Sequence, residues 1–210
     1  AESEPEAAYA VNSQAVENIA KACKQVGARL LHVSTDFVFG NNSALTAGGI
    51  APLLPSSPVE PISVYGASKL AGEQHVLKLL PDASVIVRTA WVYSRFGNNF
   101  VKTMLRLMAE KPELGVIADQ IGTPTYAADL ANSILSIIRD AEKNKLSFVP
   151  GIYHYSNEGV AMQYDFKWVF GSILMDWFDV SEDKVKTLLS DDFQHLPIVG
   201  SCESNSTEEI

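Results

Sequence analysis

Apolar residues recur at steps of three and four through Ala8, Val11, Ala15, Ile19, Ala22 and Val26. That is the spacing of a helix with one apolar face. Gly27 is placed to end it, since glycine takes the left-handed closing conformation without steric cost. The pattern then changes. Arg29 to Ser34 (RLLHVS) reads as a short buried strand. From Phe37 to about Pro61 the chain is rich in Gly, Ser, Asn and Pro and reads as a loop, of a length that is often functional. Ser63 can cap a helix from Val64 to about Leu80, and Ser84 to Arg88 (SVIVR) is the next strand. Asn98 can cap a further helix with Phe100, Val101, Met104, Leu105 and Met108 on its apolar face. A short strand is expected near Val116-Ile117. Thr123 then has the character of an N-cap, with Pro124 at the first helical position and Ala127, Leu130, Ala131, Ile134 and Ile138 along the buried side. Gly151 to Tyr155 (GIYHY) reads as a strand, and Gln163 to Phe178 and Ser181 to Leu189 as helices. From Ser201 onward the chain is a polar tail. Strands alternating with helices imply an α/β fold, a parallel sheet covered by helices on both faces.

Composition narrows the function classes. The 210 residues are 47% hydrophobic and 20% charged, enough apolar material for a sizeable core. Sixteen basic against 25 acidic residues give a net charge of −9. An acidic surface repels nucleic acid and anionic lipid, so neither is an expected partner, and an anionic ligand would need local donors. No run approaches the ~20 apolar residues of a membrane span. Cys23 and Cys202 form no metal or disulfide framework; Cys23 reads as a small core residue, and a reducing cytoplasm is the expected location. No metal site is expected. His32 and His154 lie in apolar strands and read as satisfied core histidines, and Trp168 and Trp177 as packing.

The chemistry concentrates in Tyr65-Gly66-Ala67-Ser68-Lys69. Positions four apart share a helix face, so the Lys69 ammonium can sit beside the Tyr65 phenol. A nearby cation favours phenolate, which would make Tyr65 a usable proton donor or acceptor near neutral pH. Upstream, Ser34-Thr35-Asp36 stands at the end of a strand. Ligands of open α/β sheets bind outside the carboxyl ends of the strands, where the Thr35 hydroxyl could bond a substrate oxygen. Hydroxyl, phenol and ammonium converging on one oxygen can polarise a carbonyl and protonate the alkoxide.

Five blocks make a family resemblance specific: Ser-Thr-Asp-Phe-Val-Phe (34–39), Val-Tyr-Gly-Ala-Ser-Lys-Leu-Ala-Gly-Glu (64–73), Arg-Thr-Ala-Trp-Val-Tyr-Ser (88–94), Gly-Asn-Asn-Phe-Val-Lys-Thr-Met-Leu-Arg-Leu (97–107) and Asp-Gln-Ile-Gly-Thr-Pro-Thr-Tyr (119–126). In order and spacing they resemble the dTDP-4-dehydrorhamnose reductases, extended short-chain dehydrogenase/reductases, over roughly residues 1 to 166. The resemblance implies reduction of the C4 ketone of dTDP-4-dehydro-L-rhamnose by NADPH or NADH, giving dTDP-L-rhamnose. It implies Tyr65 as proton donor, Lys69 as holder of the nicotinamide ribose, Ser34 beside the cofactor, and Thr35, Asp36 and Trp91 on the substrate. It also admits a homodimer. Plainer roles stand beside these: Trp91 as core packing, Asp36 as a turn cap, Asn98 and Asn99 as a helix cap, Asp119 and Gln120 as loop formers.

The chain departs from that family in three places. Its Gly-rich strand-turn-helix, which would cradle a dinucleotide pyrophosphate, has no counterpart here, and Gly48-Gly49 opens no helix. The expectation is therefore a partial Rossmann-like sheet lacking its first strands, with roughly the first 60 residues of the domain absent. The loop 40–61 lacks the family's aromatic-x-acidic pattern, and after Phe166 the likeness fades. The expected organisation is a partial NAD(P)-binding domain with embedded substrate loops at 1–145, a small substrate-side lobe at 146–200 and the tail at 201–210. The fragment alone is expected to bind little NAD(P)H. Two other functions suit the same scaffold. One is a non-catalytic binding subunit like the regulatory subunit of methionine adenosyltransferase; the other is a sugar-nucleotide epimerase or dehydratase.

Overall fold

The structure is a computed structural model. It describes residues 1–40, 45–46, 49–50, 53–111, 121–144, 148–157, 164–165, 181 and 183. The chain divides into two compact units. One is Ala1–Val92 with Thr125–Ala161, and the other is Tyr93–Pro124 with Met162–Ile210. The expected strand at 116–117, Asp119, Gln120, Trp168, Trp177, Cys202, the polar tail and most of the expected lobe at 146–200 lie outside the described residues.

In the first unit, α1 (Pro5–Tyr9), a π-helical turn (Ala10–Gln14) and α2 (Ala15–Val26) run as one rod. Gly27 ends it as expected, at φ 67°, with the Ala28 amide donating to the Cys23 carbonyl at 2.9 Å. The expected apolar face is out of phase. Val11, Ile19 and Val26 are exposed, and the buried line is Ser13, Val16 and Ala20. The reason is a close helix–helix approach. A Cβ on Gly72 would lie 2.2 Å from the Asn12 carbonyl oxygen, so small side chains must face that contact and larger ones turn away.

Among the described residues, three parallel strands form one sheet in the order β1 (Leu30–Thr35), β4 (Ser84–Thr89), β5 (Gly151–His154). Leu30 pairs with Ser84 through to Thr35 with Thr89, and Val85 pairs with Gly151 through to Arg88 with His154. All six β4 residues are buried, as the middle strand requires. Helix α3 (Val64–Leu79) and α2 cover one face, where Val16, Ala20, Val76, Leu80 and Ile86 form a core with Cys23 packed against it. Helix α5 (Ala127–Lys143) covers the other through Leu130 and Ile134, against Val85, Val87 and Leu31. Full burial of a side chain such as Ile86 contributes about 1.5–3 kcal/mol.

Several expected boundaries move. The segment after β1 holds a 3-10 turn (Asp36–Val38) and a short antiparallel pair, β2 (Leu45–Thr46) with β3 (Gly49–Ile50), where an unstructured loop was expected. Thr123 caps no helix. The Thr125 amide donates to the Trp91 carbonyl at 3.3 Å, Thr125–Tyr126 is extended, and α5 begins only at Ala127.

In the second unit, α4 (Phe100–Glu110) is capped by Asn99 instead of Asn98. The Asn99 Oδ1 accepts from the Lys102 amide at 3.1 Å, and Phe100 lies outside the buried face. Tyr164–Asp165, expected inside a helix, pairs as a strand antiparallel to Ile121–Gly122. Among the described residues no helix is long and apolar enough to cross a membrane.

Candidate active site

The site is built where β1 ends. Thr35 is the last residue of the strand and the cap of the turn that follows. Its Oγ1 accepts from the Phe37 amide at 3.2 Å and donates to Asp36 Oδ1 at 3.0 Å. Asp36 thus both begins the turn and faces Thr35. Burial raises its carboxyl above the usual range, against the lowering effect of the Thr35 hydroxyl and the local amides. The Phe37 ring meets the Tyr65 ring edge-on at 5.6 Å between centroids.

Tyr65 sits in the first turn of α3, and three amides there are capped by two side chains. Ser63 Oγ accepts from Gly66 at 3.0 Å, as its sequence position predicts. The Glu2 carboxylate accepts from Val64 at 3.1 Å and Tyr65 at 3.3 Å. Gly66 lets the turn after β1 lie directly on the helix, since a Cβ there would come 2.3 Å from the Phe37 carbonyl oxygen. The Tyr65 side of α3 is open, with the residue 37% exposed. One turn further, Lys69 Nζ donates to the Val33 carbonyl at 2.8 Å. Burial holds its ammonium below the usual lysine range, opposed by Glu73. Between them Ser68 donates to the Tyr65 carbonyl at 2.9 Å and accepts from Asn12 Nδ2 at 3.1 Å, which joins the π turn to the same helix. Thr35, Asp36, Phe37, Tyr65 and Lys69 are thereby gathered at one rim of the sheet.

Ser34 and His32 point to the α3 face. The Ser34 Oγ and His32 Nε2 are buried without a hydrogen-bond partner among the described residues. The expectation of a satisfied core histidine therefore fails for His32. Burial, aided by Lys69, lowers its pKa to about 4, so the ring is neutral at pH 7. Trp91 follows β4 by two residues, and Thr89 is level with Thr35. That register puts Trp91 near the same rim. Its backbone is at φ 45°, the left-handed region that bulky residues avoid, and such strain clusters at functional sites. The segment opposite is fixed by a buried hydrogen bond from Thr89 Oγ1 to Thr125 Oγ1 at 2.9 Å.

Sequence reasoning missed Glu2, Asn12, Glu73 and Arg88. Arg88 and Glu73 form a bidentate ion pair, at 3.0 Å from Nε and 2.7 Å from Nη2, and the residues are 4% and 1% exposed. The signal was present: an arginine inside an apolar strand must find a partner, because buried charges are paired. Its guanidinium also lies 5.0 Å from the Phe39 ring centroid, and Nη1 donates to the Pro55 carbonyl at 3.3 Å. His154 meets the Phe39 ring edge-on at 5.5 Å, and burial with Arg88 nearby lowers its pKa.

A family model described as the RmlD substrate binding domain matches residues 1–194. A dTDP-4-dehydrorhamnose reductase of Mycolicibacterium smegmatis is 46% identical over 166 residues, covering 79% of this chain and 47% of that protein. The Escherichia coli protein of the same name is 47% identical, covering 79% and 52%. A solved dTDP-4-dehydrorhamnose reductase from Bacillus anthracis, in complex with NADP, matches at a TM-score of 0.69 and 36% identity over 93% of this chain and 67% of that one. The chain spans about half the length of the curated relatives it matches. With its parallel α/β sheet and the matched family model, the chain belongs to the RmlD substrate-binding-domain family.

Proposed function

We propose that the chain carries the reacting half of an NAD(P)H-dependent reductase that converts the C4 ketone of dTDP-4-dehydro-L-rhamnose to the alcohol of dTDP-L-rhamnose. The observation that carries this reading is the gathering of Thr35, Tyr65 and Lys69 at the carboxyl end of β1. Relatives named for that reaction support it over a purely binding role, as does the NADP complex of the Bacillus anthracis protein.

The residues at the rim fit the nicotinamide end of such a cofactor. Ser34 offers a buried hydroxyl with no partner among the described residues, and Lys69 an ammonium held at the strand end. The cofactor supplies the hydride when bound. Thr35 would hold the ketone oxygen through its hydroxyl. Tyr65, on the open side of α3, would give its phenolic proton to the oxygen as negative charge develops there. Lys69, fixed by Val33, would hold the ribose and keep positive charge near that oxygen. Asp36 would contact the sugar, and Trp91 would pack against it. Homodimerisation and a cytoplasmic location belong to the same reading.

The test is ketone reduction by the full-length protein and its Tyr65→Phe variant, followed at the NADPH absorbance. Loss of the proton donor should lower kcat by roughly 100-fold to 10,000-fold. Equal rates would remove Tyr65 from the mechanism.

A further inference from the structure

We infer that Glu73 and Arg88 are positioning residues, whose buried ion pair ties the helix carrying Tyr65 and Lys69 to the turn carrying Thr35 and Asp36. The inference rests on the reductase reading above. It begins with geometry on α3. Tyr65, Lys69 and Glu73 are spaced by four, so they follow one another along a single helix face. Glu73 is the innermost, and both its carboxylate oxygens are taken by Arg88.

From Arg88 the connection continues to the substrate side. Its strand position is level with Ser34 on β1 and with His154 on β5. Its guanidinium lies against the Phe39 ring, and His154 meets that ring edge-on. Phe39 closes the turn after Thr35, its amide donating to the Asp36 carbonyl at 3.0 Å. Nη1 also holds the Pro55 carbonyl, so one side chain fixes the chain at two points after β1. Displacing the guanidinium would release Phe39 and with it the turn that presents Thr35, Asp36 and Phe37 to Tyr65.

Stability alone does not call for this arrangement. A buried ion pair pays a desolvation penalty that an apolar pair of similar volume avoids, so apolar replacement is often neutral or stabilising. The neighbouring part of the same interface is built from Val76, Leu80 and Ile86. What the charged pair adds is direction: a planar fork satisfies two oxygens, a carbonyl and a ring face in one fixed geometry.

The test uses the double variant Glu73→Leu/Arg88→Met in the full-length protein, which keeps apolar volume and leaves no unpaired charge. Tyrosines are replaced by 3-fluorotyrosine, and the Tyr65 resonance is assigned by its loss in Tyr65→Phe. The variant should unfold cooperatively, show a displaced or broadened Tyr65 resonance, and lose about 10-fold to 100-fold in kcat with KM little changed. A folded double variant with the parent's Tyr65 resonance and the parent's kcat overturns the inference. If the parent itself reduces no ketone, the reductase reading fails, and the Tyr65 resonance still decides whether the pair positions the helix. Should the double variant not fold, Arg88→Lys keeps the charge but loses the planar fork. The same displaced resonance is then expected, and an unchanged one overturns the inference.

Discussion

The face of the sheet under α2 and α3 has two interiors side by side. At one end Leu30, Ile86 and Ile152 meet Val16, Ala20, Val76 and Leu80, an interior made chiefly of hydrocarbon. Two residues further along the same strands stand His32 and Arg88, with Lys69 and Glu73 on the helix above and His154 at the exposed edge. The first interior is held by burial, which has no preferred direction and tolerates small changes of shape. The second is held by paired charges and aromatic edges, whose geometry is specific and whose members cannot be removed singly without leaving a charge or dipole in a dry place. The directional interior lies against the candidate active site, and the forgiving one lies away from it. Stability and position are thus drawn from different stretches of one interface.

The largest effect should come from breaking the charged interior by half. Arg88→Met alone leaves the Glu73 carboxylate buried without its partner, and should cost about 3–5 kcal/mol in urea denaturation. A loss below about 1 kcal/mol would mean that the carboxylate reaches water or protonates at no cost, and the contrast between the two interiors would collapse.

The next effect is a pH dependence seated in the same interior. The fold holds the His32 pKa at about 4, below its ordinary value of 6.5, so it favours the neutral ring. The stability this represents is present in full above pH 6.5 and is lost as pH falls toward 4, by about 2–3 kcal/mol. Urea midpoints measured from pH 7 to pH 4 should therefore fall faster for the parent than for His32→Gln. Parallel curves would show that His32 does not titrate across folding.

In the hydrocarbon interior a matched probe is Ile86→Val, which removes one methylene at full burial. The expected loss is about 1 kcal/mol, with Tyr65 and the turn after β1 undisturbed. A loss as large as that of Arg88→Met would show that this part of the interface is as exacting as its neighbour.

Much of this was legible in the sequence, and the failures share a cause. The three strands of the sheet, Gly27 and the Ser63 cap follow from local chemistry: period, conformational freedom, one hydroxyl reaching one amide. Thr35, Tyr65 and Lys69 could be read because strand end and helix spacing place them. The buried face of α2 could not, since its phase is set by the close approach of Gly72 to Asn12, 60 residues away. Arg88 in an apolar strand called for a partner, but local pattern could not name Glu73, which the fold brings to it and buries with it. The false N-cap at Thr123 likewise lost to a tertiary contact, the Trp91 carbonyl and the Thr89 hydroxyl claiming Thr125.

The smallest predicted effect concerns the open end of α3, where neither interior reaches. The amides of Val64 and Tyr65 are capped by Glu2 and that of Gly66 by Ser63. Ser63→Ala removes a neutral acceptor that is partly shielded, and should cost about 1 kcal/mol at any salt concentration. Glu2 is exposed, and it acts through charge at a helix N-terminus as well as through two hydrogen bonds. Glu2→Gln keeps an acceptor and loses the charge, so its smaller penalty should shrink further as salt is raised, while that of Ser63→Ala stays constant. The two salt series, compared by denaturant midpoint, separate the contributions. If Glu2→Gln shows no salt dependence, the carboxylate acts only as an acceptor. The first turn beneath Tyr65 is then held by hydrogen-bond geometry alone, as the charged interior deeper in the same helix is held by its fork.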